Sequence, residues 1–326
     1  MTQIIAPSKM RVIGRVSVNH DRAYRLLDQL MDKYEQRKAL YQHIHRIDAP
    51  QTVHRPKALE VGSTEHARWL FFAAMTDRRE VSSRVYEGHN RLWQGHADQL
   101  YNQPLNSTVT EEVIVEFIKR YKIGMPDTGA KSWVACSDTL FHKLDGRPTQ
   151  MYEGRSIDDI VQLKKQEWHL PGFGSKILSL LAIFYAELDM IKIPPDAFPV
   201  DVHVQRFALS TGILQLRQKE RNYTLESILR PLLSKICHER GWQAVEVAHA
   251  IWFLGNKLCT ACSINSQAEV YCPVYQSCGG AFMTKDYSAK GLWNPKSRYP
   301  KGGNQVFGCV EQEGGFSFPQ PDLFSR

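Results

Sequence analysis

Three groups of residues have types and spacing that could do chemistry. The first is Leu170-Pro171-Gly172-Phe173-Gly174-Ser175-Lys176, a tight turn placed where a helix begins. Pro171 fixes one φ angle, and Gly172 and Gly174 allow positive φ and close backbone approach. Free amides and the positive end of a helix dipole converge at such a turn, which suits a phosphate. The turn reads no bases, so it would hold a nucleic-acid backbone without sequence preference. Lys176 could be a nucleophile if burial or a nearby cation kept its amine neutral; otherwise it is a plain phosphate contact. The second group is Val200-Asp-Val-His-Val-Gln-Arg206. Asp201 opens a helix there, as N-cap aspartates do, and an ionised carboxylate can also stabilise positive charge that develops in a reaction. The third is Cys259-x2-Cys262-x9-Cys272-x5-Cys278. Four thiols so close together, in a chain with seven cysteines, point to a cluster or a metal rather than to a disulfide framework.

The elements that must position these residues are helices. After the glycine turn, Ile177, Leu180, Leu181, Phe184 and Leu188 follow the spacing of one apolar face. Before it, Ser156 and Asp159 make a capping box, with Ile157, Ile160 and Val161 on one side. The unit reads as helix, glycine hairpin, helix. Residues 1–20 are weakly patterned, and a helix is expected over 21–47, with Leu26, Leu27, Leu30, Met31 and Tyr34 as its apolar side. Further helices are expected around 69–75, 81–93, 110–121 and 130–144, with 94–109 as a loop. The segment 189–199 holds three prolines and reads as a connection, followed by helices around 201–211, 224–239 and 243–258. Strand signal is almost absent, and the expected class is all-α.

The order of the three groups resembles the helix–hairpin–helix DNA glycosylases, the superfamily of endonuclease III. The resemblance covers roughly residues 60–280. It implies that Asp201 is catalytic, supporting glycosidic cleavage beside the sugar C1′. It implies that Lys176, in seventh place of the hairpin motif, marks a member that is both glycosylase and lyase, forming a Schiff base. It implies that Leu170, Pro171, Gly172, Phe173, Gly174 and Ser175 bind the DNA backbone. It implies that Cys259, Cys262, Cys272 and Cys278 hold a [4Fe–4S] cluster, with Gly255 four residues ahead of the first. The family's common spacing is x6, x2, x5, and here the second cysteine lies earlier. Four thiolates at loose spacing could equally hold zinc. The usual base-pocket residues of the family are not clearly matched at Met75, Thr76 and Asp77.

The expected arrangement is therefore two helical domains with the active site in the cleft between them. Residues 60–199 would form a helical barrel ending in the hairpin, and 1–59 with 200–278 the cluster domain. The extension 279–326 is rich in Gly, Pro and aromatic residues; it could wrap the body, contact DNA or be partly disordered. The formal charge of +7 favours a polyanionic partner. The partner implied is double-stranded DNA with a flipped target base. No apolar run reaches membrane-spanning length and Met1–Gly14 lacks the core of a signal peptide, so a cytoplasmic or nucleoid-associated monomer is expected, without membrane attachment. The base stays open, with modified cytosine of invading DNA among the candidates. Two rivals stand beside the bifunctional glycosylase: a monofunctional glycosylase in which Asp201 activates water, and a non-catalytic DNA-binding module.

Overall fold

Some helix starts in this chain are set by side chains that satisfy the first amides. In the computed structural model, Asn19, Ser63 and Ser156 each accept a hydrogen bond from a backbone amide three residues on. At Ser156 the box is closed by Asp159, whose carboxylate accepts from the Ser156 amide at 2.9 Å. The structure describes residues 10–13, 16–77, 81–216, 222–258 and 270–278. In chain order the elements are β1 (Met10–Ile13), β2 (Val16–Asn19), α1 (His20–Glu35), α2 (Pro50–Val53), α3 (Thr64–Thr76) and α4 (Ser82–Ala97). There follow α5 (Glu111–Tyr121), α6 (Pro126–Lys143), α7 (Ile157–Gln166), α8 (Ser175–Glu187) and α9 (Val202–Ser210). Last come β3 (Leu214–Leu216), α10 (Asn222–Arg240), α11 (Ala244–Phe253), a π-turn at Leu254–Leu258, and α12 (Tyr275–Cys278). The class is helical. No helix among the described residues is long and apolar enough to cross a membrane.

The chain divides into two compact units. Arg46–Pro199 is one; the described residues before Arg46 and after Pro199 make the other. In the first unit α3 is buried on nearly all sides from Trp69 to Thr76, as a central helix should be. The interior there is not wholly apolar. His89 Nε2 lies 2.7 Å from Thr76 Oγ1, and Nδ1 lies 2.8 Å from the Tyr101 hydroxyl. Burial pushes His89 down to about 3, so the ring is neutral. With the proton on Nε2, every donor has an acceptor. Tyr101 donates to Nδ1, Nε2–H donates to Thr76 Oγ1, and the Thr76 hydroxyl donates to the Phe72 carbonyl at 3.1 Å. The three-proline connection is also anchored in this unit: Asp196 accepts from the amides of Ile157 at 2.8 Å and Asp158 at 3.3 Å. It thereby caps α7 a second time.

In the second unit a small antiparallel sheet, ordered β1-β2-β3, accompanies the helices. Val16 and Val18 of β2 and Leu214 of β3 are buried, and Val16 pairs with Leu216. Arg22 on α1 ties this unit together, donating from Nε to the Thr211 carbonyl and from Nη2 to the Ser277 carbonyl at 2.6 Å.

Several expected boundaries move. The helix expected over 21–47 ends at Glu35, because Arg37 and Ala39 take positive φ of 53° and 55° without a glycine to announce the break. The expected loop at 94–109 loses its first residues to α4 and a π-turn at Asp98–Asn102. The helix expected from 130 begins at Pro126, a proline whose missing N–H costs nothing in the first turn.

Candidate functional site

The hairpin is built from the carbonyl side. Each of the seven carbonyls from Trp168 to Gly174 accepts a hydrogen bond, four of them from the hairpin and the turn after it. Leu170 N–H donates to Trp168, Phe173 to Leu170, Gly174 to Gly172, and Leu178 to Gly174. The other three are held from neighbouring helices. Thr139 Oγ1 donates to the His169 carbonyl at 3.0 Å, and Cys136 Sγ to that of Pro171 at 3.4 Å. Lys164 Nζ donates to the Phe173 carbonyl at 2.7 Å. Leu170 and Phe173 put their side chains into the core, with Phe173 stacked on Phe71 at 4.6 Å. Only their backbones are left to meet a ligand.

On the amide side one donor of the turn is left over. The Gly172 N–H makes no hydrogen bond among the described residues. The first turn of α8 adds amides that a helix cannot satisfy by itself. Gly172 needs its glycine, with φ +95°. Gly174 does not: its φ is −82°, it caps α8, and a Cβ placed on it meets nothing within 4 Å. Of the two glycines, which both allow positive φ, Gly172 alone adopts it. A glycine that the fold does not require, on an exposed surface two residues from the unbonded Gly172 amide, leaves room for an outside partner. Lys176 is half-buried in the same first turn, and no ion pair to it occurs among the described residues.

Asp201 stands in the other unit, as the residue that opens α9. Its Oδ1 accepts from the amides of His203 at 2.8 Å and Val204 at 2.9 Å, and its carbonyl from Gln205 at 3.0 Å. Oδ2 makes no hydrogen bond among the described residues. One oxygen is held and the other is available. His203, beside it, is edge-on to Trp252 at 6.1 Å.

Of the four cysteines, Cys259 and Cys262 lie outside the described residues. Cys272 is half-buried, and Cys278 ends α12, the short helix gripped by Arg22. His43 packs near Tyr271 at 6.0 Å on the same segment. Among the described residues no group of three or more His, Cys, Asp or Glu could hold a metal. Cys136 and Cys237 are buried, and burial pushes the Cys237 thiol up to about 12.

Sequence reasoning missed Cys136, Thr139 and Lys164. Thr139 and Cys136 are one turn apart on α6 and reach the hairpin across thirty or more residues, a relation that no local pattern records.

No family model matches the sequence, and no curated protein matches it. Among solved structures, the fold resembles a non-covalent endonuclease III–DNA complex, with TM-score 0.48 and 19% identity over 79% of this chain and 97% of that one. It also resembles the 8-oxoguanine DNA glycosylase of Methanocaldococcus jannaschii, with TM-score 0.47 and 15% identity over 72% and 95%. A third is the 8-oxoguanine DNA glycosylase of Thermotoga maritima, with TM-score 0.45 and 14% identity over 72% and 96%.

Proposed function

We propose that the chain is a DNA glycosylase that removes a damaged or modified base, with an associated lyase step through Lys176. The observation that carries this reading is the state of the hairpin. Its seven carbonyls from Trp168 to Gly174 are all engaged within the protein, while the Gly172 amide, beside the start of α8, makes no hydrogen bond among the described residues. Such a surface suits a phosphate of duplex DNA and is indifferent to sequence. The chemistry follows from Asp201. With Oδ1 held by two amides, Oδ2 can face positive charge that builds at C1′ as the glycosidic bond breaks and the base departs with the bonding electrons. The target base must leave the stack for this to happen. Attack at C1′ by the Lys176 amine would leave an imine, from which strand scission follows; attack by water would leave a plain abasic site. Modified cytosine of invading DNA is the substrate class to test first. The four cysteines would hold a [4Fe–4S] cluster with a structural role, and no step passes through it.

Asp201→Asn tests the reading, because it keeps the shape of the side chain and removes its charge. Base release in a single turnover should fall by about 10² or more, in the range of other lost electrostatic contacts, while duplex binding stays. Release at the rate of the unsubstituted protein would end the proposal.

A further inference from the structure

The strongest feature outside the hairpin is the junction between α9 and the end of α11. A Cβ placed on Gly255 would lie 2.6 Å from the His203 Cβ, 3.1 Å from its Cα and 3.2 Å from its carbonyl oxygen. No side chain fits between the two backbones. The α-helical register of α11 gives way there to the π-turn at Leu254–Leu258, a feature that often marks functional sites. Immediately before that turn begins, α11 carries Trp252 and Phe253, packed edge to face at 5.3 Å. Trp252 in turn meets the His203 ring at 6.1 Å and 78°. His203 is thus held at its backbone by Gly255 and at its ring by Trp252. Its amide is one of the two that fix Asp201 Oδ1.

We propose that Gly255 and Trp252 are positioning residues for Asp201, acting through His203. Resting as it does on the glycosylase reading, this inference says what sets the carboxylate's aim. A carboxylate anchored by one oxygen can swing about that anchor. Keeping Oδ2 in a single orientation requires that the amides of His203 and Val204 stay where they are. The Gly255 contact is the stop against which that part of α9 rests. Any side chain there has to move His203 by roughly 1 Å to reach ordinary carbon–carbon contact. A displacement of that size at a catalytic group can cost about 100-fold in rate.

The test is Gly255→Ala, measured as single-turnover base release at saturating duplex, as binding to an uncleaved duplex, and as backbone amide shifts of His203 and Val204. Release should fall about 100-fold with binding within about twofold and a normal helical spectrum. The amide shifts of both residues should move. In the Asp201→Asn background the same substitution should have almost no further effect, since residues acting as one unit are non-additive. If Gly255→Ala does not fold, Trp252→Leu and the conservative Trp252→Phe take its place, with Phe expected to retain most of the rate that Leu loses. Unchanged release in Gly255→Ala, or an equal loss in both backgrounds, overturns the proposal. The glycosylase reading fails separately, through undiminished release by Asp201→Asn alone; amide shifts that ignore Gly255→Ala would then still refute the junction.

Discussion

The two hairpin glycines should behave in opposite ways, and the contrast can be worked from their backbones. Gly172 sits at φ +95°, where an L side chain is strained. Alanine there should cost about 1–2 kcal/mol of stability, or roughly 2–8 °C in melting temperature for a unit of this size. Gly174 sits at φ −82° with open space around its Cβ direction. Alanine there should change stability by no more than about 0.5 kcal/mol. For DNA the order reverses. If a phosphate seats on the amides beside Gly174, a methyl group in that space costs one charge-assisted hydrogen bond, about 1.5–3 kcal/mol, or roughly 10- to 100-fold in Kd. The salt dependence should also lose about 0.9 from its slope for the phosphate given up. The assay pairs thermal melts with duplex titrations at several salt concentrations, using DNA without a lesion so that no turnover intervenes. Gly174→Ala binding these duplexes like the parent would refute the reasoning.

Two further outcomes are expected. Borohydride added during turnover of an authentic base-containing duplex should trap a covalent adduct, and Lys176→Gln should abolish it; rapid base release without any adduct, with Lys176→Gln still active, would make the enzyme monofunctional. Protein purified anaerobically should contain about four irons and absorb broadly near roughly 400 nm, as thiolate-bound clusters do, whereas colourless protein with one zinc would assign the cysteines to a different site.

Much of this was legible because the information is local. Ser156 and Asp159 satisfy each other's amides within one turn, so their spacing alone predicts the start of α7. Pro171 fixes its own φ and Gly172 permits the positive φ that the turn needs, so the turn before α8 follows from them. Asp201 at a helix entry is likewise a three-residue relation. What escaped was carried by few residues or by distant ones. The strands have three or four residues each, too few to show alternation, and β3 pairs with β2 across almost two hundred residues. Their inward positions, Val16, Val18 and Leu214, look in sequence like any scattered apolar residues.

The same division between local and distant information separates the two halves of the candidate site. A hairpin motif predicts where amides are exposed, but exposure is only half of a phosphate site. The carbonyls interleaved with those amides would repel an anion unless they were engaged elsewhere, and that is the work of Thr139, Cys136 and Lys164 from two other helices. Likewise a helix-opening aspartate is ordinary until something fixes its backbone, and here the fixing residue is a glycine fifty-odd positions later whose only visible property is having no side chain. On the proposed reading, the motif carries the groups that would meet the ligand, and residues with no motif decide whether those groups are aimed. Base release and duplex binding should therefore be more sensitive to small substitutions at Thr139, Lys164 and Gly255 than their bland types suggest. A survey of variants ranked only by motif membership would overlook them.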